Sequence, residues 1–143
     1  VSGDRGGAIR QWNVPERRSV ATIGDPTAAA GRADVFSAAI SPDGTMLATV
    51  GDYAARIWDP TTGDEVHAVE VPGDEVWGPS FSPDGSLFAA VWPGVVRVLD
   101  LASGRIVREI RSVTGAFRTS FDPSGSRIVV SSTRPKFTRS VGR

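Results

Sequence analysis

The sequence predicts an all-β protein built from repeated four-stranded antiparallel units, and three observations carry that prediction. Ser-Pro-Asp-Gly stands at Ser41, Pro42, Asp43 and Gly44 and again at Ser82, Pro83, Asp84 and Gly85, with a degenerate copy at Asp122, Pro123, Ser124 and Gly125. Pro42 to Pro83 is 41 residues and Pro83 to Pro123 is 40. A second marker keeps the step, since Trp58-Asp59 is answered by Leu99-Asp100 and Gly63 by Gly104. Self-similarity at this period, made of short apolar runs separated by Pro and Gly turns, marks stacked supersecondary units.

Each unit reads as four strands. The first is Phe36–Ile40, Trp77–Phe81 and Phe117–Phe121, with large apolar groups at the same two places, the pattern of a buried strand. Pro79 removes a ladder donor and predicts a local irregularity there. Ser-Pro-Asp-Gly then reverses the chain: Pro presets φ, Asp accepts from nearby amides and Gly takes positive φ. The second strand, Met46–Val50, Leu87–Val91 and Ile128–Val130, is nearly all apolar and must be covered on both faces. The third is Ile9–Trp12, Ala55–Trp58 and Val96–Leu99; its arginine shares a face with the residue two places on, so its stem covers apolar surface while the guanidinium reaches water. The fourth, Glu65–Glu70 and Arg105–Ile110, mixes charge with Val and Ile as an outer strand does.

The chain opens in mid-unit. Val1–Gly3 reads as the tail of a second strand, Trp12 closes a third and Arg17–Ile23 makes a fourth. An extended surface loop is expected at Gly24–Arg32, because Trp12 to Trp58 is 46 residues instead of 41.

In this order of motifs the chain resembles the WD-repeat (tryptophan-aspartate) β-propeller family. The resemblance implies four-stranded blades around a central channel and a protein-interaction role. It divides residues 1–132 into a half blade (1–23), two blades (35–71 and 76–110) and a half blade (116–132); residues 133–143, with Arg134, Lys136, Arg139 and Arg143 and no acid, read as a basic, disordered tail. Such a segment is an incomplete ring of about three blade equivalents. The repeat residues it assigns are Trp12, Trp58, Asp59, Asp100, the two complete Ser-Pro-Asp-Gly turns, and Asp52 as the acid of a buried brace with Thr49 as its hydroxyl. The family's histidine in that brace is missing.

Composition narrows the function classes. Sixteen basic and sixteen acidic residues cancel, so nucleic acid and anionic lipid are not expected partners. No apolar run is long enough to span a membrane, and no leader is read at Val1; the missing initiator methionine suggests a cut-out segment or a valine read from an alternative start codon. Without cysteine the expectation is a cytoplasmic protein with no disulfide or thiolate metal site.

No cofactor, metal or catalytic group is expected. His67 is the sole histidine and is expected to face solvent on an outer strand. The loop acids Asp74-Glu75, and Asp34 with Asp52, are read as solvating groups. Gly3–Gly7 lacks the Lys-Ser/Thr ending of a phosphate loop. The candidate partner-binding rim is made by loops Gly24–Asp34, Gly51–Ala54, Pro72–Val76, Trp92–Gly94 and Ser112–Gly115, with Tyr53 and Trp92 beside Asp74 and Glu75 as its candidate residues, because aromatics on a rigid rim anchor partners; partial burial against an adjacent loop is the other reading of Trp92. The expected function is a non-catalytic scaffold for proteins or peptides, joined to further blades of a larger protein or to a second copy. A ligand sensor or hydrolase using the central channel, and a truncated product without function, stand as alternatives.

Overall fold

The computed structural model describes residues 2–3, 9–23, 34–111 and 115–132, which form twelve strands and no helix. In chain order these are β1 (Ser2–Gly3), β2 (Ile9–Asn13), β3 (Arg18–Ile23), β4 (Val35–Ile40), β5 (Leu47–Trp58), β6 (Glu65–Glu75), β7 (Trp77–Phe81), β8 (Leu87–Trp92), β9 (Val95–Asp100), β10 (Arg105–Arg111), β11 (Ala116–Phe121) and β12 (Ile128–Ser132). They pair antiparallel into four sheets, β1-β2-β3, β4-β5-β6, β7-β8-β9-β10 and β11-β12. The expected loop at Gly24–Arg32, the Gly3–Gly7 segment beyond its first residue and the tail at 133–143 lie outside the described residues.

The sheet of β4, β5 and β6 has the same four-legged plan as its neighbour. Its long strand β5 pairs with β4 through Leu47–Gly51 and with β6 through Asp52–Trp58. The indole Nε1 of Trp58 donates to Thr49 Oγ1 at 2.9 Å, whereas the ends of a straight run this long would stand roughly 30 Å apart at about 3.3 Å per residue. β5 therefore folds back on itself around Asp52 and Tyr53, as Pro93-Gly94 folds β8 onto β9.

Alternation along the strands builds the core. Phe88, Ala90 and Trp92 of β8 pack with Ala48, Val50, Ala55 and Ile57 of the preceding sheet, while Ala89 and Val91 of β8 meet the following sheet at Ala116, Phe121, Ile128 and Val130. A period of two thus directs one strand into two cores. A third cluster, Ile9, Ile23 and Leu47, joins the first two sheets. The four sheets stack face to face in chain order, the segment of a β-propeller expected for the apolar second strands. Each fully buried large side chain contributes about 1.5–3 kcal/mol.

Several expectations change. Ile9, in the opening half blade, is fully buried, because the sheet of β4–β6 covers it. The first residues of the inner strands are not core: Trp77 and Phe117 are exposed, and Phe36 is half-buried with its ring stacked on Trp77 at 4.6 Å. The loop expected at Pro72–Val76 is largely strand, since Glu75 pairs with Asp52 and the Val76 N–H donates to Gly51 O at 2.9 Å. The irregularity expected at Pro79 is present as a register shift between Trp77 and Ser80.

His67 does not simply face solvent. Its Nε2 lies 2.8 Å from Leu101 O, in the turn between β9 and β10 of the next sheet, so it is an inter-sheet bracket.

Candidate functional site at one rim

Antiparallel strands reverse at each turn, so turns after first and third strands gather at one rim and those after second and fourth strands at the other. At the first rim the polar groups are occupied with each other. Ser41 Oγ donates to Asp43 Oδ1 at 2.6 Å and accepts from Met46 N–H at 2.9 Å, while Thr45 donates to both Asp43 oxygens. Ser82, Asp84, Ser86 and Leu87 repeat the arrangement. Gly44 and Gly85, at φ 76° and 72°, close the two turns; Pro42 and Pro83 open them.

These bonds stabilise the charged carboxylates. The Ser41 hydroxyl, then the Thr45 amide and hydroxyl, lower the Asp43 pKa to about 2. Ser82, followed by Ser86, lowers Asp84 to about 2. Asp59 accepts from Thr61 and Thr62 amides, and Asp100 from the Ser103 hydroxyl and amide; both are held below the ordinary carboxylate range. In the degenerate third turn the roles exchange. Asp122 takes the serine's place, accepting from Arg127 N–H at 2.9 Å, and Ser124 takes the aspartate's.

The second rim is less closed. In the sheet of β4–β6, Asp34 sits directly on Gly51: a Cβ there would lie 1.7 Å from Asp34 O. Asp52 N–H donates to that oxygen at 3.1 Å, and Asp52 Oδ2 accepts from Asp34 N–H at 3.3 Å. One period later Gly51 becomes Trp92 and Asp34 becomes Glu75. The same close approach is impossible over an indole. There the structure has a cavity of about 430 Å³ lined by Glu75, Trp77, Trp92, Pro93, Gly94, Gly115 and Ala116. A second hollow of about 470 Å³, on the other side of Pro93-Gly94, is lined also by Val95, Glu109 and Arg111.

Of the rim residues expected from sequence, Glu75 and Trp92 come together at the cavity; the side chains of Tyr53 and Asp74 lie outside the described residues. Trp92 is not a free aromatic anchor, because it is 3% exposed in the core between two sheets. The Arg97 guanidinium lies 5.2 Å from its ring centroid and pairs with Glu109 at 2.8 Å, so this arginine covers an indole where water was expected. The Trp92 N–H is buried without an acceptor among the described residues, an arrangement that costs about 1–3 kcal/mol.

Trp77 is the exposed aromatic that sequence reasoning assigned to the core. Its signal was the exchange of Gly51 for Trp92 at constant spacing, which marks where the repeat ceases to close. The repeat tryptophan Trp12 is 43% exposed on β2, unlike half-buried Trp58. Among the described residues no group of three or more His, Asp or Glu side chains could hold a metal ion, and no helix is long and apolar enough to cross a membrane.

Residues 15–130 match the family described as the lipoprotein LpqB beta-propeller domain. No curated protein matches the chain.

Proposed function

Since the chain belongs to the family of the lipoprotein LpqB beta-propeller domain, we propose that it works as a non-catalytic interaction scaffold of the WD-repeat type, a propeller segment whose second rim binds proteins or peptides. One observation carries this reading: the cavity that appears where Trp92 replaces Gly51 and the rim no longer closes on itself. At the first rim the carboxylates of Asp43, Asp84, Asp59 and Asp100 are engaged by their own turns. The WD-repeat element rests on the Trp58–Thr49 bond and on Asp52, whose acceptor is served by the Asp34 amide, where the family it resembles uses a histidine before the first strand.

Partners are proteins or peptides, with further blades or a second copy completing the ring. The cytoplasmic setting expected from composition belongs to this reading, against the lipoprotein context in the family's description. Fractionation of producing cells separates the two, the chain in the membrane pellet replacing the first.

The binding test is hydrogen exchange on the full chain with peptides selected from a random library. Protection is expected at 75–77, 92–95 and 115–116. Protection confined to the Ser-Pro-Asp-Gly turns, or no peptide retained, overturns the reading. Hydrolysis abolished by Asp74→Asn would replace it with an enzyme.

A further inference from the structure

We propose that the cavity beside Trp77 accepts a basic side chain, arginine or lysine, from its peptide partner. This rests on the rim being the peptide-binding face and adds the chemistry of what enters it. Trp77 is 37% exposed and its indole is held by Phe36, stacked at 4.6 Å with 21° between the planes. Glu75 lines the same cavity and is the one charged residue among the described residues that line it; Trp92, Pro93, Gly94, Gly115 and Ala116 carry no charge. An indole face is the negative end of a quadrupole, and a carboxylate beside it adds full charge of the same sign. A cation gains from both, an anion is repelled by both, and an aliphatic guest would desolvate Glu75 without compensation.

The protein already contains the completed arrangement nearby. Arg97 lies 5.2 Å from the centroid of Trp92 and bonds Glu109 at 2.8 Å, a set of indole, carboxylate and cation. Trp77 and Glu75 repeat the indole and the carboxylate, while no arginine or lysine is among the described residues that line their cavity. The missing member is the one a partner supplies. Small walls at Gly94, Gly115 and Ala116 leave room for the extended stem of such a side chain.

The experiment selects a random-peptide library on the full chain and then measures enriched peptides by calorimetry, each beside its citrulline counterpart, which keeps arginine's shape without its charge. Arginine or lysine is expected at one enriched position, with citrulline binding about threefold to thirtyfold more weakly. Glu75→Gln should shrink that ratio, Trp77→Leu should weaken the basic peptide, and Trp77→Phe should keep most of its affinity. Glu75→Lys should turn the preference towards a glutamate-bearing peptide, a gain that a misfolded variant could not produce. Enriched peptides without a basic position, or a citrulline ratio unmoved by Glu75→Gln, would overturn the inference while leaving the scaffold reading intact. A library that yields no binder removes both.

Discussion

Trp58 and Thr49 form a two-residue brace inside one strand. Thr49 is buried, so removal of the indole N–H leaves a hydroxyl without its donor at 2.9 Å. Trp58→Phe is expected to cost about 1–3 kcal/mol, and Trp58→Ala about 3 kcal/mol, the low end of the range for large buried aromatics because the ring is half-buried. Urea unfolding measures both, and a loss below about 0.5 kcal/mol for Trp58→Ala would place the ring outside the brace. The turn acids make a pH prediction. Asp43 and Asp84 fall from 3.8 to about 2 on folding, so their stabilisation is complete above pH 3.8 and disappears as pH falls through about 2. The wild-type midpoint should therefore drop more steeply between pH 4 and 2 than that of the Asp43→Asn, Asp84→Asn double variant. Parallel profiles would mean that these bonds do not discriminate the charged form.

Between elements, the turn glycines offer a controlled comparison. Gly63 and Gly104 occupy equivalent places at φ 81° and 68°, so alanine strains both backbones alike. A Cβ on Gly63 meets nothing within 4 Å, whereas one on Gly104 lies 2.6 Å from His67 Nδ1. Gly104→Ala should be the more destabilising, and the gap should close in a His67→Ala background. His67→Ala alone should cost about 1 kcal/mol through the lost bond to Leu101 O, which revises the expectation that this histidine faces solvent. An equal cost for the two glycine variants in thermal melts would mean that the imidazole swings aside. Gly78 is a harder limit: at φ 58°, its Cβ would lie 2.4 Å from Arg118 Cα on β11. Backbone cannot move aside as a side chain can, and Gly78→Ala should cost more than about 3 kcal/mol, whereas Gly94→Ala, in open space at φ 77°, should cost about 1–2 kcal/mol.

At the scale of the molecule, the four sheets cover one another, but among the described residues the last is two strands wide. The outer edge of β12 has no partner strand among the described residues, and Val129 on that strand is 62% exposed. An unpaired strand edge with apolar side chains is a template for another chain. The chain on its own should therefore self-associate with rising concentration, and Val129→Lys should reduce that association; light scattering that shows a monodisperse monomer at all concentrations would contradict it. Burial of Ile9 and Ile23 against Leu47 makes the first sheet the better covered end, so the prediction rests on the last sheet.

The repeat step, the turn positions and the all-β class were legible in residues alone, because they depend on local chemistry. Pro before Asp and Gly dictates a turn wherever it occurs, and a run such as Leu87–Trp92 demands cover on both faces whatever supplies it. Which β8 residues meet which neighbouring sheet came from the packing. The candidate site was legible only in part, since Glu75 and Trp92 were marked by their loop positions while Trp77 was assigned to the core. What the tertiary structure decided were the approaches between sheets. Whether Trp77 is core or cavity wall depends on Asp34 closing over Gly51 in one sheet and on Trp92 forbidding the same closure at Glu75 in the next. His67 reads as an exposed outer-strand residue until Leu101 O arrives from 34 residues away. A local pattern encodes what a strand must bury; only the packed neighbour determines which side chains are left outside.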